Sequence, residues 1–293
     1  MNLVLTVLEI VAPVFILSAI GYLWVKLGYD YSIRFVTQLA MTLSVPCLIF
    51  TALMDTEIEP DALAAVSLAA VAAYAGVAVV AFAAVKLLRL DVRTYTAPLI
   101  FGNTGNLGLP LALFAFGDIG LDTAVVVFAV MAFFSFTLGV WIVSGGGSIL
   151  TLIREPMVGA TVLGALFLWQ GWRTPDVITN TLELIGQIAI PMMLITLGVA
   201  MSRLRPSRIG RDLALAIGKA IVTSGIAYAV GRWFELDPIA LAVLVVQVAT
   251  PVAVTSYLLA EKYDADATAV AGLVVVSTLL SVLYLPLILA IVI

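Results

Sequence analysis

The chain has 293 residues, of which 63% are hydrophobic and only 11% are charged, whereas a soluble domain averages about 25% charged. With no histidine and a single cysteine, Cys47, a histidine metal site, a histidine general base, a cysteine cluster and an internal disulfide are all excluded. The net charge of −4 says little, because the charges are sorted by loop.

Apolar runs recur along the whole sequence, and each bilayer crossing needs about 20 residues. The sequence therefore reads as an all-α, multi-pass membrane protein with no soluble domain left over. No cleavable signal peptide is expected, because the first run is too long and has no basic residue before it.

Ten spans are predicted between charged or Pro/Gly breaks. Span 1 (3–25) carries Glu9 and Pro13 and ends at Lys26. Span 2 (32–54) contains Pro46 and is followed by the acidic run DTEIEP at 55–60. Span 3 (62–88) is rich in Ala and Val and ends at Lys86 and Arg89. Span 4 (94–116) contains the run GNTGNLGLPLALFAFG at 102–117, and span 5 (120–144) leads into SGGGS at 144–148. That Gly/Ser run reads as a flexible hinge. Span 6 (155–171) and span 7 (177–201) follow, the latter with Glu183 and Pro191. Span 8 (209–233) holds Lys219, span 9 (237–260) holds QVATP at 247–251, and span 10 covers 266–292.

The basic residues set an orientation. Lys26, Arg34, Lys86, Arg89, Arg93, Arg154, Arg203, Arg205, Arg208, Arg211 and Lys262 fall on one side, and only Arg173 and Arg232 on the other. The first side is thus expected to be cytoplasmic. Both termini then face outward from the cell's inner (plasma) membrane, as does the acidic run at 55–60.

The two halves resemble each other. PVFILSAIGYLWVKLG (13–28) overlies PMVGATVLGALFLWQG (156–171), so that Pro13, Gly21 and Gly28 meet Pro156, Gly164 and Gly171. LSVPCLIFT (43–51) overlies IAIPMMLIT (188–196), pairing Pro46 with Pro191. Residues 1–144 form a first five-helix repeat, 145–154 a linker and 155–293 a second. An odd number of spans per half gives the copies opposite orientation, as in secondary transporters.

The run at 102–117 lies near the middle of span 4, where helix breakers are costly. Proline removes a backbone donor and crowds the preceding turn, and unpaired backbone groups in hydrocarbon cost several kcal/mol each. Such a break survives inside protein or beside a wet cavity. Gln247, Thr250 and Pro251 lie at matching depth in span 9. Two breaks at corresponding positions of the two halves point to a binding site. The spans run antiparallel, so the breaks can meet as an X. Half-helix N-termini suit an anion there, and half-helix C-termini suit a cation. Candidate substrate-binding residues are Asn103, Thr104, Gly105, Asn106, Gly108, Pro110, Gln247, Thr250, Pro251 and Thr255. Gly105 and Gly108 read as close-approach positions. Pro46 and Pro191 read as kinks or hinges in a scaffold.

GNTGNLGLPL in span 4 and ATPVAVTSYLLAEKYDAD in span 9 resemble the signature segments of the auxin efflux carrier family. That family includes the plant PIN auxin carriers and bacterial proteins described as malate or malonate permeases. The resemblance covers essentially the whole chain, and the short central link is the bacterial pattern. It implies a fold like that of the bile-acid/sodium symporters, with broken spans 4 and 9 crossing. Spans 1, 2, 6 and 7 would form a scaffold domain, and spans 3–5 and 8–10 a transport domain. It also implies a homodimer and a substrate site at Asn103 or Asn106 and Thr250–Pro251. The span 9 break has no Asn, which departs from the plant carriers and puts auxin itself in doubt.

The expected activity is secondary transport, efflux or uptake, of a small organic anion such as malate or an auxin-like acid, rather than catalysis. A sodium-coupled organic-anion symporter of bile-acid-carrier type is the alternative. The coupling ion would be Na⁺ or H⁺, with Na⁺ near Gln247, Thr250 and Ser256; no other cofactor or metal is expected. The partners expected are the anion, the lipid bilayer and a second copy, with no nucleic acid. Glu9 and Glu183 lie near outer span ends and fit either an outer vestibule or the interface. Lys219 fits either an anion-attracting or partner-neutralising role, or an amine that snorkels to the cytoplasmic surface.

Overall fold

The computed structural model describes residues 3–55, 59–146, 156–204 and 208–292, with side chains of the first helix from Ala12 onward. The reading of Glu9 and most of the 145–154 linker lie outside the residues so described.

Fourteen α-helices are found among the described residues, linked here and there by wider π-turns. They are α1 (Leu3–Lys26), α2 (Ile33–Leu39), α3 (Val45–Asp55), α4 (Pro60–Leu87), α5 (Val92–Ile100), α6 (Leu109–Phe134) and α7 (Val140–Ser144). The second half holds α8 (Pro156–Gln170), α9 (Asp176–Gln187), α10 (Ala189–Arg203), α11 (Ile209–Trp233), α12 (Pro238–Val248), α13 (Val254–Lys262) and α14 (Ala267–Val292). Start signals are where the sequence supplies them. Ser32 accepts from the Phe35 N–H, Asp91 from that of Thr94, and Asp237 from those of Ile239 and Ala240, which satisfies first-turn donors.

Among the described residues, six helical stretches are long and apolar enough to cross a membrane: Ile33–Asp55, Asp61–Leu87, Thr104–Ser144, Asp176–Arg203, Ile209–Trp233 and Ala267–Val292. Shorter apolar helices run over Ala12–Lys26, Gly159–Gln170 and Pro238–Val248. The 41-residue stretch Thr104–Ser144 would be about 60 Å long if straight, twice a hydrocarbon core. Gly117, at φ 66° and ψ −154°, is not helical and interrupts it.

Three departures from regular helix share one cause. A proline clashes with the carbonyl four residues before it. Thr42, four before Pro46, lies in the π-turn Ala40–Ser44. Asn106, four before Pro110, lies in the π-turn Thr104–Gly108. Gln187, four before Pro191, is the last residue of α9. Each wider or broken turn moves the obstructing carbonyl aside.

Small residues set the closest helix contacts. A Cβ on Gly21 would strike the Ile195 carbonyl, and one on Gly198 the Ser18 carbonyl, so α1 and α10 pack backbone to backbone. Gly164 of α8 lies against Leu53 and Phe50 of α3, and Gly186 of α9 against Leu48. A second packed group joins α11 to α4, α12 and α14. The outer faces keep large apolar side chains exposed, and Trp169 (81%) and Trp233 (84%) stand out at helix ends, as membrane-interface tryptophans do.

Candidate functional site

The two interrupted segments meet. After α5 ends at Ile100, residues 101–103 leave the helix, and after α12 ends at Val248, residues 249–253 do the same. Gly102 and Val252 form an antiparallel bridge, and the Asn103 N–H donates to the Pro251 carbonyl at 2.7 Å. The contact needs a glycine, because a Cβ at Gly102 would collide with Thr250 Oγ1.

Backbone groups freed by the breaks find side-chain partners, as burial demands. The Tyr284 hydroxyl donates to the Ala249 carbonyl at 2.8 Å, and Ser277 Oγ accepts from the Val252 N–H at 3.1 Å. Thr250 Oγ1 donates to the Gln247 carbonyl at 2.7 Å. In a continuous helix the Leu99 carbonyl would receive the Asn103 N–H. That N–H goes to Pro251 instead, and Lys219 Nζ donates to Leu99 O at 3.2 Å.

A small cavity of about 40 Å³ opens at the junction, lined by Gly102, Asn103, Gly105, Asn106, Ala253 and Thr255 with Met41 and Phe136 among its walls. A neighbouring cavity of about 20 Å³ shares Met41, Asn106 and Thr255 and adds Thr37, Met193 and Thr196. A third, of about 330 Å³, shares Val254 and Leu258 with the second and has Ser32, Arg34, Arg203 and Tyr257 on its wall. A chain of cavities thus runs from the junction to the end of α10 that carries Arg203.

The profile of the membrane transport protein family matches residues 6–148 and 144–289, nearly the whole chain. The chain belongs to the auxin efflux carrier family. An uncharacterized transporter of Methanocaldococcus jannaschii is 24% identical over 198 residues. That match spans 64% of this chain and 64% of the relative.

In this auxin efflux carrier family member, the candidate residues divide by position. Asn106 and Thr255 are half-buried and line both inner cavities. Asn103 is 4% exposed, lines the first cavity, and its Nδ2 has no hydrogen-bond partner. Gly105 lines it too, and a Cβ there would sit 2.7 Å from Met193 Cε. Thr104, Gly108, Pro110, Gln247, Thr250 and Pro251 are buried and line none of these cavities. Gln247 lies against Gly108, and neither its Oε1 nor its Nε2 has a partner. Ser256 is buried in the first turn of α13. Glu183 is exposed on α9, whereas Lys219 is buried and does not reach the surface. Pro46 and Pro191 stand at the wide turn and the break described above. Sequence reasoning missed Met41 and Thr196, which face the junction from other helices, and the repair groups Ser277 and Tyr284. Nothing in their local sequence marks them.

Proposed function

We propose that the protein is a secondary active transporter, an efflux carrier or permease, for a small organic anion such as a carboxylate, working by alternating access around the junction of α5 and α12. The observation that carries this reading is the Gly102–Val252 bridge with its polar cavity. Two helical segments begin at this cavity, at Thr104 and Val254. First-turn N–H groups have no acceptor within their own helix, and with the aligned dipoles they favour an anion. Asn103, Asn106 and Thr255 add neutral donors without a carboxylate to repel it.

Ten spans in two inverted repeats fit the helices described. Counting α2–α3, α9–α10 and the two arms of each broken span together, and dividing 104–144 at Gly117, gives ten. The tight contacts of α1 with α10 and of α3 with α8 and α9 support a scaffold domain of spans 1, 2, 6 and 7. The remaining spans would form the transport domain, and both termini would lie outside. The Asp55–Arg173 ion pair at 2.9 Å agrees with placing both loops on one face.

Cavities of 40 and 20 Å³ hold a few waters, less than a carboxylic acid needs. Binding therefore requires the Met41 and Thr196 side of the junction to move away from Asn106 and Thr255. The 330 Å³ cavity, with Arg34 and Arg203 on its wall, would be the inner approach for an anion.

The test is uptake into proteoliposomes of radiolabelled malate, malonate and indole-3-acetate, with and without Na⁺. Asn106→Ala and Asn103→Ala should each abolish transport of the accepted acid while the melting temperature stays near wild type. Wild-type rates in both variants would refute the site. A strict Na⁺ requirement would select the sodium-coupled symporter, a reading supported by the unpartnered Gln247 Oε1.

A further inference from the structure

We propose that the Lys219 ammonium is the resident cation of the α5–α12 junction, standing in for a bound alkali-metal ion and giving the junction the positive charge that an anionic cargo balances. The inference rests on the anion-transporter reading and chooses against the sodium-coupled alternative.

Three observations carry it. Lys219 lies in mid-α11, is 6% exposed, and points its Nζ at the Leu99 carbonyl, 3.2 Å away. That carbonyl lies in the last turn of α5, beside the break, and has lost its ordinary donor, because the Asn103 N–H is committed to Pro251. The C-terminal end of a helix carries partial negative charge, and α5 ends here, inside the protein. A cation is the natural complement to such an end, and the chain supplies one covalently.

No acid among the described side chains neutralises the charge. Among the described residues the one ion pair is that of Arg173 with Asp55. Asp212, on the same face of α11, is seven residues away, about 10 Å along the axis. The helices packed most extensively against α11 are α4, α12 and α14, and α5 touches it through Leu99 and Tyr95. None of them carries a carboxylate along its middle, where the titratable groups are the buried Tyr74 and Tyr95 and the half-buried Tyr284. An ammonium has three donors, and the Leu99 carbonyl takes one. A buried charge left this way is costly, which is tolerable if a bound anion completes the balance on the cavity side. Lys219 lines none of the cavities, so it acts on cargo through its field and through the position of α5.

The experiment compares cation responses of the purified protein. Melting is followed by tryptophan fluorescence in NaCl and in choline chloride for wild type, Lys219→Ala, Lys219→Met and Lys219→Arg. Wild type and Lys219→Arg should melt alike in both salts. Lys219→Ala should melt lower in choline and recover by roughly 5 °C in Na⁺ or on adding ethylammonium, as ligands of a folded state do. Lys219→Met, which keeps the volume, should respond to Na⁺ less than Lys219→Ala. A Na⁺-dependent rise in wild type would show an open cation site beside the lysine and overturn the proposal. So would a Lys219→Ala protein indifferent to cations. If the neutral variants do not fold but Lys219→Arg does, the charge itself is required and the proposal stands. If Lys219→Arg fails with them, the position serves shape, and the proposal falls. None of these readouts needs transport, so a failure of the transporter reading would show separately, as absent uptake in wild type.

Discussion

Gly102 and Thr250 touch so closely that the first of them can carry no side chain. A Cβ on Gly102 would overlap Thr250 Oγ1 and stand 2.8 Å from the Thr250 carbonyl oxygen. Part of that obstruction is backbone and cannot rotate away. Gly102→Ala should therefore cost about 1–3 kcal/mol, in the range of overpacked cores, and lower the melting temperature by several degrees. Adding Thr250→Ala should restore only part of the loss, because the carbonyl stays. Full recovery in the double variant would mean that the two breaks are not in backbone contact. The measurement is thermal melting of the two variants in detergent.

Gly108 and Gln247 form a second close contact with the opposite expectation. A Cβ on Gly108 would meet only the end of the Gln247 side chain, at Oε1, Cδ and Nε2. Gly108→Ala should destabilise, and Gln247→Ala in the same chain should relieve it. The coupling should be on the order of 1–3 kcal/mol, as for residues in direct contact. Strictly additive melting shifts would contradict the geometry. The comparison also tests Gln247 itself, whose unpartnered amide is costly where it sits.

How far the sequence leads depends on which property carries the signal. The breaks at 101–103 and 249–253 were legible, because Gly, Asn and Pro in an apolar run have a large local cost that few arrangements meet. The irregular turns before Pro46 and Pro191 were legible for the same reason. Depth along a helix could be read, but not which way a side chain faces. Depth puts Gln247 level with the span 4 break, and the structure turns it toward Gly108, away from the cavities. α12 is apolar on every face, so periodicity offers no stripe from which its orientation could be inferred. The same limit hid Met41 and Thr196, which reach the junction from the first π-turn and from α10 respectively. It also left Lys219 undecided between surface and interior until its carbonyl partner was seen. The helix contacts rest on coincident glycines, and only the Pro–Gly matches between halves are visible in the sequence.

Arg93 ties three elements at one end of the bundle. Its Nε donates to the Val143 carbonyl at 3.0 Å near the end of α7, and an Nη donates to the Tyr263 carbonyl just after α13. These are charge-assisted bonds to helix-end acceptors, which the helix dipole strengthens. Arg93→Gln should cost about 2 kcal/mol. Lys cannot bridge both carbonyls in the fork geometry, so Arg93→Lys should recover less than half of that. Amide hydrogen exchange over residues 259–265 should quicken in Arg93→Gln and stay unchanged around Gly21 and Gly198. Unchanged exchange near Tyr263 would show that the contact does not hold α13 in place.

Tyr31 gives the alkaline behaviour a specific source. It lies between α1 and α2, with its hydroxyl 2.7 Å from Thr196 Oγ1, while Arg203 donates to its carbonyl. Burial pushes the phenol above its ordinary value of 10.0, and the Thr196 hydroxyl pulls it back by a smaller amount. The folded state therefore holds this proton more tightly than the unfolded state. The resulting stability is fully present below about pH 10 and is lost as pH rises through the folded value. Tyr31→Phe removes this titration together with the Thr196 contact. Its melting temperature should be slightly lower than wild type at neutral pH, and the two curves should converge as the pH rises above about 10. Parallel curves across that window would mean that Tyr31 titrates alike folded and unfolded. Thr196 also lines the cavity beside Asn106, so uptake by Tyr31→Phe at neutral pH reports whether holding Thr196 in place matters for transport. Loss of Tyr31's grip should change the apparent affinity for the acid more than the maximal rate, since it moves a wall of the site and not the junction itself.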